Sequence, residues 1–483
     1  MNFIIFQPDE LRAESVGCYG HPLAPTPNID ALAAQGTRFD QCHVQHTVCT
    51  PSRCSMMTGW HPHVRGHRTL WHLLRPHEPN LLKYLKAAGY TVLMYGKNDL
   101  LATASFADSV TEARSYGKGK FGRNPYAFDD PRYYSFLFEP YDAPLEEHGD
   151  YANVQAAINF LQGKPKEPFC IFLPLTYPHC PYSAPQPWHD LINPDDLPPL
   201  RPADLPDRPD FHALIRRYRR LDQLAPAAQD QLLRKIQAVY LGMTGFIDHL
   251  LGQLLNTLEE SGLADNTTVT FTSDHGDYAG DYGLVEKWPS AAEDVVTRVP
   301  LIVRTPGGKA GHVVNEPVEL FDLMATTLEQ AGPEQAGIEP QHTHFARSYT
   351  AQLQGAAGDP TRIAFTEGGY ARHEPHCFEG RPDRDPFARD ERNIYYPKGQ
   401  QQQDYPDSVG RTVALRSAQH RLVYRPTGQC ELYDLASDPQ ELYNQYGNAA
   451  YTDVQRQLEQ ALLAWSVQTS DVTPVETDPR GYV

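Results

Sequence analysis

The sequence predicts an α/β chain, a sheet with helices on both faces, followed by a smaller α+β subdomain. Three observations carry this. Short apolar strand runs alternate with longer helical stretches through the first half. Acidic, basic and histidine side chains follow several of those runs, where ligands gather in such folds. From about Tyr370 the composition shifts toward Arg, Asp, Gln and Pro. The expected units are residues 1–370 and 371–483.

The strand candidates are Asn2 to Phe6, Thr91 to Tyr95, Phe169 to Leu173, Thr267 to Thr272 and Val299 to Val303, all rich in β-branched or aromatic residues. Helical stretches lie between them at Asn80 to Ala88, Tyr151 to Leu161 and about Ala227 to Glu260. Two irregular segments, Ala102 to Pro144 and Ile192 to Pro226, read as insertions expected near a substrate mouth. After them, Arg411 to Ala436 reads as strands with turns, closed by a helix near Val454 to Trp465.

Sixty acidic against 42 basic side chains give a formal charge of −18, which argues against nucleic acid or anionic membrane as a partner. An anionic substrate must then be drawn in by local cations or a metal. Met1 to Gln7 has neither a basic leader nor a long apolar run, so the chain as written is expected to be cytoplasmic. Its eight cysteines form no CxxC pair and are expected to be mostly reduced thiols.

The most specific string is Cys49-Thr50-Pro51-Ser52-Arg53-Cys54-Ser55-Met56-Met57-Thr58-Gly59. It resembles the signature of the sulfatase family, C-x-P-S-R-x-S-x-x-T-G, at every fixed position. The likeness extends in family order through Asp9-Glu10, Gly17-Cys18-Tyr19-Gly20, Thr26-Pro27-Asn28, Gly96-Lys97, Pro178-His179-Cys180-Pro181, Ser273-Asp274-His275-Gly276, Lys287, Arg298-Val299-Pro300-Leu301 and Glu431-Leu432-Tyr433-Asp434. The resemblance implies an alkaline phosphatase-like fold with a mixed, mostly parallel sheet. It also implies a sulfuric ester hydrolase acting on a small sulfated molecule, with a saccharide the expected class.

By that resemblance Cys49 is the precursor of formylglycine, made by a maturation enzyme, whose hydrate attacks sulfur. A helix beginning beside Pro51 would put this residue at an N-terminus that favours an oxyanion. Arg53, Lys97, His179 and Lys287 match positions that hold the charge or move the proton, with His179 the candidate general acid. Asp9, Glu10, Asp274 and His275 match a site for one divalent cation, for which oxygen-rich ligands favour Ca²⁺, with Mg²⁺ or Mn²⁺ as alternatives.

Two positions depart from the family pattern. Glu10 stands where Asp is usual, and Asp99 follows Lys97 where a histidine is usual; Asp99 is expected to take a proton, orient His179 or touch substrate. His67 and Arg68 are the expected substrate contacts among the histidine-rich residues after the signature. The competing readings are a phosphonate monoester or phosphodiester hydrolase using the same modified cysteine, and a non-catalytic binding protein on this fold.

Overall fold

The computed structural model describes residues 1–332, 337–475, 477 and 480. The last three positions of the expected C-terminal unit, 481–483, lie outside the described residues.

The main sheet is built from β1 (Asn2–Asp9), β2 (Thr37–His43), β3 (Thr91–Tyr95), β4 (Glu112–Arg114), β5 (Phe169–Pro178), β6 (Thr267–Thr272), β7 (Arg298–Arg304), β8 (His312–Val314) and β9 (Val318–Glu319). Its order is β4-β3-β5-β1-β6-β7-β2-β8, with β9 also on β2. Only β7 is reversed: it is antiparallel to both β6 and β2, while the remaining pairs are parallel. The sheet is therefore mixed and mostly parallel, as expected.

Period-two alternation assigns the two faces. Ile4 and Phe6 of β1 pack with Val154, Ile158, Met243, Phe246 and Leu250. Those residues come from the Gly149–Gln162 and Pro226–Glu260 helices. Phe3 and Ile5 face the other way, toward Met56, Met57, Leu82, Leu85 and Met324. Because helices cover both faces, the central strands read as unbroken apolar runs.

Strand β2 went unrecognised in the sequence because Arg38, Asp40 and Gln41 interrupt its apolar pattern; those three positions are only partly buried. The irregular segment 102–144 carries β4 and several short turns of helix, and segment 192–226 carries the Phe211–Tyr218 helix.

A second, antiparallel sheet runs β10 (Ala364–Gly368), β11 (Thr412–Arg416), β12 (His420–Tyr424) and β13 (Glu431–Asp434) in that order. The Thr452–Gln468 helix covers it, with Trp465 stacked on Phe365 at 4.8 Å between ring centres. Among the described residues no helix is long and apolar enough to cross a membrane.

Candidate active site

Four parallel strands end at one rim and present chemistry there: Asp9 at the end of β1 with Glu10 after it, Lys97 after β3, His179 after β5, Asp274 and His275 after β6. Against this rim sits the N-terminus of the Cys49–Thr58 helix, with Cys49 as its first residue and the extended Val48 as its cap. All ten residues of that helix are buried. Ser52 fixes it by donating to the Asp274 carbonyl, and Gly59 closes it with φ 69°.

Cys49 Sγ lies 3.5 Å from Asp9 Oδ1, 3.5 Å from Lys97 Nζ and 3.2 Å from His275 Nε2. Burial, reinforced by Asp9, pushes its thiol well above the ordinary range despite the nearby lysines. The unmodified side chain is thus a thiol and a poor nucleophile at neutral pH.

Two carboxylates share one guanidinium behind the cysteine. Arg53, fully buried, donates from Nη2 to Asp9 at 2.9 Å and from Nε to Asp274 at 2.8 Å. Lys97 adds a 2.6 Å bond to Asp9. Burial raises the Asp9 carboxyl, but Lys97 and Arg53 outweigh it and hold the group well below the usual range. Asp274 Oδ1 also accepts the amides of Glu10 and His275 at 3.2 and 3.0 Å.

The donor atoms of Asp9, Cys49, Asp274 and His275 lie within 4.8 Å of one another. His275 Nδ1 donates to the Gly276 carbonyl at 2.9 Å, which leaves Nε2 with its lone pair toward the cluster. Burial keeps this imidazole below its ordinary pKa, hence neutral. The donor set of two carboxylates, a neutral imidazole and the side chain at 49 fits a hard or borderline divalent cation.

Glu10 belongs to a second, overlapping group: one of its carboxylate oxygens and donor atoms of Asp9, Cys49 and His179 also lie within 4.8 Å of one another. Its Oε1 pairs with Lys287 Nζ and lies 3.1 Å from His179 Nε2. Its Oε2 is buried without a protein partner, as is Oδ2 of Asp277. Burial raises the Glu10 carboxyl well above its ordinary value; Lys287 opposes this and Asp277 adds to it. The carboxylate therefore faces both Lys287 and the Asp9–Cys49 side of the cluster. The four residues expected from sequence, Asp9, Glu10, Asp274 and His275, fall in two groups that share Asp9 and Cys49, and Glu10 is paired with Lys287 as well.

His179 donates from Nδ1 to the Cys180 carbonyl, so Nε2 accepts from Lys287 Nζ at 2.9 Å. Burial, Lys287 and Lys97 together keep it well below the ordinary histidine pKa. In this arrangement the proton sits on Lys287 and His179 Nε2 accepts from it.

Asp99 does not orient His179. It pairs with Lys97 at 2.9 Å and remains 22 % exposed. His67 is a structural residue: Nδ1 faces the His72 carbonyl at 2.7 Å and Nε2 faces Glu78 at 3.1 Å, so neither nitrogen is left for a substrate. Arg68 is paired with Glu374 of the C-terminal segment. Sequence reading missed Asp277, whose Oδ1 accepts from Tyr182 at 2.7 Å. Its position two residues after His275 was the available signal.

Comparison with known proteins agrees with this arrangement. The sulfatase family model matches residues 1–333. The multifunctional alkaline phosphatase superfamily protein PehA of Trinickia caryophylli is 28 % identical, covering 99 % of this chain and 96 % of the relative. An N-acetylglucosamine-6-O-sulfatase of Bacteroides thetaiotaomicron is 26 % identical over 99 % of this chain and 88 % of its own. Among solved structures, the phosphonate monoester hydrolase of Agrobacterium radiobacter superposes with a TM-score of 0.76 at 21 % identity, over 99 % of this chain and 98 % of that one. That last likeness establishes the alkaline phosphatase-like fold. With two thirds of its length matched and its site built on the expected rim, this chain belongs to the sulfatase family of sulfuric ester hydrolases.

Proposed function

We propose that the protein hydrolyses the sulfate ester of a small organic molecule, a sulfated saccharide being the favoured class, through a formylglycine hydrate derived from Cys49. The observation that carries this reading is the environment of Cys49. A buried thiol held protonated is a poor nucleophile, yet Asp9, Lys97, His275 and the helix N-terminus surround it with groups suited to an oxygen nucleophile. The sulfated sugar named for the Bacteroides relative supports the substrate class.

In the proposed reaction one hydroxyl of the hydrate gives its proton to Asp9 and attacks sulfur while the sulfur–oxygen bond to the substrate breaks. Lys287, hydrogen-bonded to His179, supplies the proton that the departing alkoxide takes. The second hydroxyl then returns a proton to the Lys287 amine, the carbon–oxygen bond to sulfate breaks, sulfate and the proton held by Asp9 leave to solvent, and the aldehyde is rehydrated by water. Arg53 and Lys97 orient the hydrate and balance its charge. Asp9, Asp274 and His275 would hold a divalent cation, Ca²⁺ favoured, which when bound supplies positive charge to oxygens at the reacting centre. Because the whole signature helix is buried, the maturation enzyme must reach Cys49 before the chain folds.

Mass analysis of the tryptic peptide around Cys49 from the native host tests the modification. An aldehyde at 49, with turnover abolished in a folded Cys49→Ala variant, is the expected result; an unmodified thiol in active enzyme refutes it.

A second reading, hydrolysis of phosphonate monoesters or phosphodiesters, is favoured by one observation. Glu10 and Asp99 stand where Asp and His are usual, so that a carboxylate pairs with Lys287 on one side and with Lys97 on the other. The phosphonate monoester hydrolase with the same fold is in keeping with it. Catalytic efficiency on matched aryl sulfate, phosphodiester and phosphonate esters separates the two, and dominance of a phosphorus ester would overturn the first reading.

A further inference from the structure

Lys287 is preceded by a residue that no part of the proposed reaction uses. Glu286 is buried, adopts a left-handed backbone with φ 66°, and donates its amide to the Tyr182 hydroxyl at 2.9 Å. Its carboxylate is gripped from two sides. Lys398 Nζ lies 2.7 Å from Oε1, and Arg219 Nη2 pairs with Oε2.

The two cations come from separate peripheral segments. Arg219 follows the Phe211–Tyr218 helix, and Lys398 lies in the Tyr396–Asp404 helix. A third segment joins them: Arg219 Nη1 donates to the Tyr134 carbonyl at 3.2 Å and its guanidinium lies over Phe136 at 4.3 Å. Phe136 in turn meets Tyr395 at 5.1 Å. All three regions that the sequence marks as irregular or shifted in composition therefore converge behind Lys287.

The buried charges around Glu286 are evenly matched. Arg219, Lys287 and Lys398 oppose Glu10, Glu286 and Glu379, and each is at most 4 % exposed. Lys287 Nζ is paired with Glu10 but lies only 3.8 Å from Glu286. Lys398 also reaches within 3.7 Å of Glu379. With Lys398 in place Glu286 has its own partners, and Lys287 stays with Glu10 and His179. Without it, Glu286 keeps Arg219 on Oε2 but its Oε1 is left bare, and Lys287, 3.8 Å away, is drawn toward it.

We propose that Lys398 and Arg219 are positioning residues that, by holding Glu286, keep the Lys287 ammonium on the Glu10–His179 side of the site. The proposal rests on the assignment of Lys287 to the reaction. It makes turnover depend on the docking of segments remote in sequence from the signature.

The test is steady-state kinetics on the full-length, matured enzyme. Lys398→Met is expected to lower kcat about 10–100-fold, the cost of a misplacement of about 1 Å. KM should stay within about threefold, because Arg53 and Lys97 are untouched. Lys398→Arg, which keeps the charge, should recover most of kcat. So should Lys398→Met combined with Glu286→Gln, which removes the competing carboxylate. A merely structural role predicts no such paired rescue.

Should Lys398→Met fail to fold, Arg219→Lys reads the clamp from its other side. There, a fall in kcat at constant KM supports the proposal, and wild-type kcat overturns it. An inactive Lys287→Ala beside a Lys398→Met with kcat within twofold of wild type overturns the clamp alone. Turnover in Lys287→Ala overturns the role of Lys287 and the clamp with it.

Discussion

Replacing Asp274 by Asn separates its two duties. Asp274 Oδ2 accepts from Arg53 Nε at 2.8 Å, while Oδ1 takes the amides of Glu10 and His275. Asn can keep the Oδ1 contacts but turns an NH₂ toward the guanidinium, so one charge-assisted bond is lost, worth about 1.5–3 kcal/mol. Arg53 retains Asp9 at 2.9 Å, so the loss stays below the roughly 3–5 kcal/mol of a wholly orphaned buried charge.

The effect on a cation is larger. Asp9, Asp99 and Asp274 against Arg53 and Lys97 leave one negative charge in the cluster. Asn brings that balance to neutral and also removes a donor. Loss of an outer partner alone costs metal affinity about 10–100-fold, so loss of a donor is expected to raise the Ca²⁺ Kd by at least about 100-fold. The assay strips the protein with a chelator and titrates Ca²⁺, following thermal stability, which rises with linked binding, and aryl sulfate turnover. A variant with a Ca²⁺ midpoint within threefold of wild type would refute the assignment of Asp274 to the cation.

Two further outcomes are expected. Glu367 accepts from His63 at 2.7 Å and from Arg411 at 3.1 Å; burial opposes, but these partners bring its carboxyl down to about 2. Its stabilising contribution, about 3 kcal/mol, is present above the ordinary value of 4.5 and lost as pH falls toward 2. Denaturant melts of Glu367→Gln should therefore lose that part of the pH slope, and an unchanged slope would refute the pairing. Asp99→Asn removes a partly exposed negative charge from Lys97 and should lower KM for an anionic ester about 2–5-fold at low salt, an effect that fades at high salt. A KM that rises instead would mean that Asp99 itself contacts the substrate.

The sequence alone determined the fold class, most of the central strands and the position proposed for the nucleophile. These rest on local signals. Strands buried on both faces, such as Asn2 to Phe6, read as apolar runs, and the signature string is contiguous around Cys49. It likewise placed Asp9, Lys97, His179 and Asp274 at strand ends, because parallel strands deliver their following residues to one rim. The polar β2 escaped notice because a strand with partly exposed Arg, Asp and Gln lacks that signal.

Only the tertiary structure decided how the site divides. That Glu10 both pairs with Lys287 and lies within reach of Asp9 and Cys49 depends on where the signature helix and the Lys287 loop bring their side chains. His67 could be told from a substrate contact only once Glu78 and the His72 carbonyl were seen to use both its nitrogens. The convergence of Arg219, Lys398 and Phe136 behind Lys287 joins residues up to 262 positions apart. No local pattern encodes such a meeting, because the balance of buried charge is a property of the packed chain.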